Sequence, residues 1–112
     1  MGRGVIRGEL WLVAGGIHAS KPRPALIFQD DAFESTNSVT MLPLTSSLVE
    51  APLLRVRVTP SNLSGLVRDS DIMIDKITTV RRTNVTTRVG RLSADQLAEV
   101  ERSVMAFLGL AR

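Results

Sequence analysis

One arginine stands between two prolines, in the stretch Lys21-Pro22-Arg23-Pro24, and the apolar run Ala25-Leu26-Ile27 follows at once. Proline fixes its own φ and pushes the preceding residue towards extended geometry. The stretch therefore predicts a stiff strand start that holds the Arg23 guanidinium in place. A guanidinium held in this way can bind a phosphate through two parallel hydrogen bonds, although a solvated surface arginine would fit the same pattern.

The chain offers few other side chains for chemistry. It has no cysteine, no tyrosine and one histidine, His18, which any Ser-His-Asp site would have to use. Asp30-Asp31 and Asp69-Ser70-Asp71 could supply carboxylates to a two-metal site, but no third ligand follows at a suitable spacing. No phosphate-binding glycine motif occurs. We therefore expect neither a metal nor a cofactor, and disulfides and cysteine-based zinc sites are excluded.

Arginine, lysine and hydroxyl side chains remain, and these groups suffice for RNA cleavage without a metal. The 2′-hydroxyl attacks the adjacent phosphorus, and the charge that develops on the phosphoryl oxygens is met by cations and hydroxyls. Charge is also unevenly spread, because residues 55–91 carry eight basic and three acidic side chains, a net +5 in a chain of net +3. A basic middle indicates a polyanionic partner, although a solvated sheet face would look the same.

Short strands are predicted to carry most of these residues. Apolar alternation and turn residues place them at 9–13, 25–29, 39–44, 53–58, 70–80 and 85–92. In the fourth of these, alternation puts Arg55 and Arg57 on an outer, basic face. Pro43 has no N–H to donate and should therefore lie at a sheet edge or a bulge.

A single C-terminal helix is predicted to follow the strands. Ser93 and Gln96 form a capping box, and Gly109 is a natural stop. The apolar stripe of this helix comprises Leu97, Val100, Val104, Phe107 and Leu108. The 112 residues thus form one mainly β domain, a small barrel or curled sheet with a helix packed on it. No apolar run approaches the ~20 residues of a membrane span, and we expect a cytoplasmic protein.

Taken together, these segments resemble the MazF/PemK family of toxin endoribonucleases over nearly the whole chain. The matching segments arrive in the family's order. They are Arg7-Gly8-Glu9-Leu10-Trp11, Arg23-Pro24-Ala25-Leu26-Ile27, Pro43-Leu44-Thr45-Ser46, Arg68-Asp69-Ser70 leading into Ile74-Asp75-Lys76-Ile77-Thr78-Thr79, and Val89-Gly90-Arg91-Leu92-Ser93 with the closing helix.

The resemblance implies a fold, an activity and partners. The fold would be a small SH3-like barrel of the MazF/CcdB toxin type, assembled as a homodimer. The activity would be metal-independent cleavage of single-stranded RNA at short sequence motifs, in mRNA or possibly in tRNA or rRNA. A cognate MazE-like antitoxin would hold the toxin inactive, with a disordered tail lying over the RNA groove.

The resemblance also implies roles for particular residues. Arg23 and Thr45 take the places of the family's catalytic arginine and threonine, and Lys21 and Ser46 flank them as phosphate contacts. Gly8 and Glu9 shape the site. The basic residues of the middle region, which help to hold the RNA backbone, are Arg55, Arg57, Arg81 and Arg82.

This sequence departs from the family in the loop at 14–20, which is shorter than usual and lacks the family's acidic start. Cleavage specificity is therefore not transferred. Two other functions stay open. A CcdB-like gyrase poison carries a tryptophan near its C-terminus, whereas the only tryptophan here is Trp11. A basic SH3-like module that binds RNA or protein without chemistry would use the same arginines.

Overall fold

Seven strands and one α-helix follow one another in the computed structural model, which describes residues 4–14 and 21–111. The strands are β1 (Glu9–Val13), β2 (Arg23–Ile27), β3 (Ser38–Thr45), β4 (Arg55–Val58), β5 (Ser70–Met73), β6 (Thr78–Arg81) and β7 (Val85–Arg91), and the helix is α1 (Ala94–Phe107). This mainly β architecture with a C-terminal helix confirms the predicted fold class. The loop predicted at 14–20, with His18, lies outside the described residues except for Ala14.

Strand β3 organises the sheet. The hydrogen-bonded order is β4-β5-β3-β2-β1-β7, all antiparallel, and β6 pairs with β3 as well. Residues 38–41 of β3 pair with β6, and its last two residues, Leu44 and Thr45, pair with β5. Its opposite edge pairs with β2. One strand therefore connects two parts of a curled sheet, and it ends at Thr45.

Three local predictions differ from the structure. Strand β2 comprises Arg23–Ile27, two residues earlier than the predicted 25–29, although Arg23 does lie at the strand start. The single strand predicted at 70–80 is interrupted by a 3₁₀ helix at Ile74–Lys76, and the two parts pair with successive portions of β3. Pro43 lies mid-strand, where β3 passes from β6 to β5 and pairs with neither. Its missing N–H therefore interrupts no ladder on that edge.

The core lies between the inner face of the sheet and α1. Its buried members are Leu10, Leu26, Leu42, Leu44, Val56, Val58, Leu66, Ile72, Ile74, Leu92, Val100 and Val104. The predicted capping box is confirmed, because Ser93 Oγ accepts from Gln96 N at 3.2 Å and Ser93 N donates to Gln96 Oε1 at 3.0 Å. Phe107 and Leu108 remain exposed, since the apolar stripe of α1 runs on past the core. In the described part of the chain, no helix has the length and apolar character needed to cross a membrane.

A tight backbone approach fixes the last strand. A Cβ built on Gly90 in β7 would lie 2.2 Å from the carbonyl oxygen of Ser64 and 2.5 Å from that of Leu63. The backbone of Arg91 also donates to the Leu63 carbonyl at 2.9 Å. Glycine at position 90 therefore lets the turn before β5 pack directly on β7.

Candidate active site

A depression of about 180 Å³ opens where the start of β2, the end of β3 and the approach to β5 meet. Its described lining contains two arginines, Arg23 and Arg68, together with hydroxyl groups, and no acidic side chain. The full lining is Arg23, Pro24, Leu44, Thr45, Ser46, Leu66, Val67, Arg68 and Ser70. A small concavity that offers cations and hydroxyl donors without a carboxylate suits an anion such as a phosphate.

Strand pairing brings Arg23 and Thr45 together. The register of β2 against β3 pairs Ala25 with Pro43 and Leu26 with Leu42. The same register, continued by two residues, sets Arg23 opposite Thr45, with both side chains on the outer face of the sheet. Arg23 is exposed and forms no ion pair with any residue that the structure describes. The two residues that the resemblance makes catalytic thus line the same depression.

The Thr45 hydroxyl is oriented by the backbone beside it. Thr45 is half-buried, and its Oγ1 accepts a hydrogen bond from the Ser47 backbone N–H at 3.1 Å. This bond occupies an acceptor position of the hydroxyl and leaves its proton to donate. Ser46, between them in sequence, is exposed and lines the same depression. The end of β3 therefore presents hydroxyl groups beside the Arg23 guanidinium.

The outer face continues from Thr45 into an ion pair. Thr45 pairs with Asp71 in β5, and Asp71 pairs with Arg57 in β4. Arg57 Nε donates to Asp71 Oδ1. The Asp71 side chain is 1% exposed, whereas the Arg57 side chain is 43% exposed. The hydrogen bond from Arg57 to this carboxylate raises the pKa of Arg57 above its usual value.

The other predicted RNA contacts are spread more widely. Lys21 is exposed and lies two residues before Arg23. Arg55 Nη1 binds Asp75 Oδ1 at 2.8 Å, and only 18% of the Arg55 side chain is exposed. Arg81 and Arg82 lie at the far end of β3, where Arg81 pairs with Ser38. Ser38 lies seven positions before Thr45 along the extended strand, a distance of up to about 23 Å.

Arg68 and Ser70 line the site although the sequence assigned neither of them a function. Both belong to the segment Arg68-Asp69-Ser70 that carries part of the family resemblance. Ser70 Oγ donates to the Arg68 carbonyl at 3.2 Å, which links the start of β5 to the approaching loop. The segment itself was the signal for these residues, but sequence spacing could not show that this loop folds against Thr45.

Three of the four carboxylates raised as metal ligands have other partners. Asp71 pairs with Arg57, Asp30 caps a 3₁₀ helix through Ala32 N at 2.8 Å, and Asp31 accepts from Arg7 N at 2.9 Å. Within residues 4–14 and 21–111, no group of three or more acidic or histidine side chains is arranged to hold a metal ion. These carboxylates therefore serve the fold.

Glu9 lies away from the depression, in β1. It is buried and accepts hydrogen bonds from Trp11 Nε1 at 2.9 Å, Arg88 Nε at 2.8 Å and Ile6 N at 3.0 Å. Burial by itself raises the pKa of Glu9, but the hydrogen bonds from Trp11 and Arg88 outweigh it, and the pKa is lowered. Glu9 thus shapes the first strand from within the fold.

One family model and several related proteins match most of this chain. Residues 6–108 match the family model described as "PemK-like, MazF-like toxin of type II toxin-antitoxin system". The probable endoribonuclease MazF of Mycolicibacterium smegmatis is 47% identical over 106 residues, which cover 94% of this chain and 97% of that protein. Endoribonuclease MazF6 of Mycobacterium tuberculosis is 30% identical over 97 residues, 85% of each chain.

Solved structures agree with the sequence relatives. MazE-MazF from Deinococcus radiodurans superposes with a TM-score of 0.80 at 25% identity, covering 97% of this chain and all of that chain (100%). The mycobacterial relatives span nearly the same length as this chain, so the similarity concerns the whole described domain and not a fragment of it.

Proposed function

Since this chain belongs to the PemK-like, MazF-like toxins of type II toxin–antitoxin systems, we infer that it is an endoribonuclease toxin neutralised by an antitoxin. We further propose that it cleaves single-stranded RNA without a metal, at the depression that Arg23 and Thr45 line. One observation carries this proposal. Arg23 and Thr45 line one concavity whose described lining has no acidic side chain, and the Thr45 hydroxyl is oriented there by the Ser47 backbone N–H.

The proposed reaction is an internal transesterification. The 2′-oxygen attacks the neighbouring phosphorus, the bond from phosphorus to the 5′-oxygen breaks, and the products are a 2′,3′-cyclic phosphate and a 5′-hydroxyl. Water accepts the proton of the 2′-hydroxyl, and the leaving 5′-oxygen takes a proton from water, so that no net proton is released. A guanidinium is a poor proton donor and acceptor, so the primary role of Arg23 is to stabilise the negative charge on the phosphoryl oxygens, with the Thr45 hydroxyl as a second donor.

The remaining predicted contacts bind the RNA backbone in this proposal. Lys21 and Ser46 flank the catalytic pair, Arg57 lies beyond Thr45 on the same face, and Arg68 joins them from the loop before β5. Arg55, Arg81 and Arg82 contact nucleotides farther from the cleaved bond. Backbone contacts of this kind make binding weaken as salt rises. The activity takes place in the cytoplasm, where cellular RNA is accessible.

We also propose that the toxin is a homodimer. An apolar depression of about 410 Å³ lies between the segment before β4 and the end of α1. Leu53 is 84% exposed there, and Phe107 on α1 is 45% exposed. An exposed apolar surface formed by two elements is typical of a protein interface, and a second copy of the same chain would bury it.

The antitoxin is proposed to act on the RNA groove itself. A disordered acidic segment that lies along Arg23, Arg57 and Arg68 would compete with RNA phosphates for the same guanidinium groups. A CcdB-like gyrase poison and a non-catalytic RNA-binding module are not favoured, because the sequence relatives are named as endoribonucleases.

The deciding experiment is RNA cleavage in EDTA by the wild-type protein, Arg23→Ala and Thr45→Ala, with sequencing and chemical analysis of the new ends. We expect wild-type cleavage in EDTA that leaves 2′,3′-cyclic phosphates, and a loss of about 10²–10³ in rate for each variant. Arg91→Ala, which changes an exposed arginine of β7 outside both the depression and the proposed interface, is the matched control and should cleave like the wild type. Cleavage that EDTA stops, or intact RNA from folded wild-type protein, would refute the proposal.

A further inference from the structure

A row of side chains crosses four neighbouring strands on the outer face of the sheet. Directly opposite residues of an antiparallel pair lie on the same face. The ladders pair Thr45 with Asp71 and Asp71 with Arg57, while Arg23 lies on the other side of Thr45 along β2. Thr45 therefore lies between Arg23, which lines the same depression on the neighbouring strand, and Arg57, which lies two strands away beyond a carboxylate.

The Asp71 carboxylate is buried, which is unusual for a charged side chain on the outer face of a sheet. The Asp71 side chain is 1% exposed beneath Arg57, and its Oδ2 accepts no hydrogen bond from the residues that the structure describes. Its charge is therefore compensated by Arg57. A buried charge that depends on one partner holds that partner firmly, because separation would leave the charge uncompensated.

The way in which Arg57 binds Asp71 leaves most of its guanidinium available. Only Nε donates to the carboxylate, and neither terminal nitrogen is hydrogen-bonded to a residue in the described ranges. Arg55, two residues earlier on the same face, differs because its Nη1 is used on Asp75 and on the Leu54 carbonyl. Arg57 thus presents an oriented pair of terminal N–H groups at the surface, the arrangement that recognises phosphate.

We propose that Arg57 binds a second phosphate of the RNA, distinct from the scissile phosphate, and that Asp71 is the positioning residue that aligns it. This inference rests on the proposed function. Neighbouring strands are about 4.8 Å apart, so β2 and β4 lie roughly 14 Å apart across β3 and β5. A guanidinium at that distance from Arg23 does not share its phosphate. The preferred substrate is therefore an RNA that extends past the cleaved bond and crosses the strands along this row.

The competing explanation is that the ion pair only joins β4 to β5. Two variants separate the explanations. Arg57→Lys keeps the charge and can still pair with Asp71, but its single ammonium offers no second edge to a phosphate. The double variant Arg57→Leu/Asp71→Leu removes both charges, so that no unpaired charge stays buried. Proteins often tolerate the replacement of a buried ion pair by apolar residues of similar size. Thermal unfolding would establish that both variants are folded.

The control is Arg88→Lys, which changes a matched arginine elsewhere. Arg88 also donates through Nε to a buried carboxylate, that of Glu9, and its side chain is 48% exposed. It lies on β7, outside the row. A general cost of replacing an ion-paired arginine would affect Arg88→Lys and Arg57→Lys alike.

The test measures kcat and KM on RNAs that share one cleavage site and are extended one nucleotide at a time on each side. Wild-type kcat/KM should rise when the RNA becomes long enough to reach β4. Both Arg57 variants should lack this rise, leaving kcat/KM about tenfold lower on long RNAs, through KM. In the double variant, which loses the Arg57 cation, the slope of log KM against log salt should also fall by about 0.7, the value for one contact to a single strand.

Several outcomes would overturn the inference. One is a wild-type length dependence in both Arg57 variants, and another is a loss of equal size on short and long RNAs, which would mark the pair as structural. A similar length-dependent loss in Arg88→Lys would also contradict it. Wild-type protein that cleaves none of these RNAs would overturn the proposed function, and this inference with it.

Discussion

Arg88 Nε lies 2.8 Å from Glu9 Oε2, although the two residues are 79 positions apart in the chain. The bond joins β1 to β7, the first and last strands in chain order, which pair directly in the sheet. Glu9 is buried at this junction and also accepts from Trp11 Nε1. A single carboxylate therefore ties the beginning of the described fold to the strand that precedes α1.

This carboxylate makes part of the stability depend on pH. Because folding lowers the pKa of Glu9 from its ordinary value of 4.5, its contribution is fully present above pH 4.5 and is lost as the pH falls through the folded-state pKa. We expect Glu9→Gln to lower the free energy of unfolding by about 1–3 kcal/mol at pH 7. The difference between variant and wild type should shrink as the pH falls below 4.5.

Urea unfolding of both proteins from pH 7 to pH 3 would measure this difference. Glu99→Gln changes an exposed carboxylate on α1 and serves as the control, with little effect expected at pH 7. A Glu9→Gln cost that stayed constant over the whole range would contradict the role assigned to the ionised carboxylate.

The Thr45 hydroxyl can be tested with substitutions that preserve the side-chain volume or the hydroxyl group. Thr45→Val keeps the shape but removes the group that accepts from Ser47 N, and we expect it to lower kcat by about 10²–10³. Thr45→Ser keeps a hydroxyl and should retain most of the activity. Single-turnover cleavage in EDTA distinguishes the two. Equal rates for both variants would show that the hydroxyl has no part in the reaction.

Gly90 should tolerate no side chain. A Cβ at this position would lie 2.2 Å from the Ser64 carbonyl oxygen. Backbone hydrogen bonds hold both β7 and the turn that contains Ser64, so neither can move away easily. We expect Gly90→Ala to lower the free energy of unfolding by about 1–3 kcal/mol or more, measured by urea unfolding. Gly4→Ala, whose Cβ would meet nothing within 4 Å, is the control. Equal stability of the two variants would mean that the turn yields without cost.

The apolar surface near the end of α1 predicts the oligomeric state. Leu53→Asp places a charge where 84% of a leucine side chain is exposed, so we expect it to shift a homodimer towards monomers at micromolar concentration. Sedimentation velocity would measure this shift. Val67→Asp changes a similarly exposed residue, 89%, at the candidate active site, and it should leave the mass unchanged. A wild-type monomer, or dissociation by both variants, would refute this interface.

Local sequence patterns predicted the helix and most strands, but not the points at which a strand is interrupted. Ser93 and Gln96 predicted the start of α1 because a capping box involves residues only three apart. Ile72 and Ile74 predicted a continuous strand, since alternation cannot reveal that a 3₁₀ helix begins at Ile74. The exposure of Phe107 was also missed, because a periodic stripe gives the direction of a helix face but not where the core ends.

The candidate site could be predicted only in part for a related reason. The flanking prolines predicted that Arg23 lies at the start of a strand. Its place opposite Thr45 depends on the register of β2 against β3, which tertiary packing sets. Asp71 was considered only as a possible metal ligand. The sequence does not show that Arg57 covers it or that Arg68 reaches the same depression.

Thr45 is the last residue of β3, a strand in the middle of the sheet. The connections at 46–54 and 59–69 follow the ends of β3 and β4. Both connections contribute to the lining of the depression, through Ser46 from one and Leu66, Val67 and Arg68 from the other. Substitutions in these connections can therefore change the shape and charge of the depression without altering the strand pairing that holds Arg23 and Thr45.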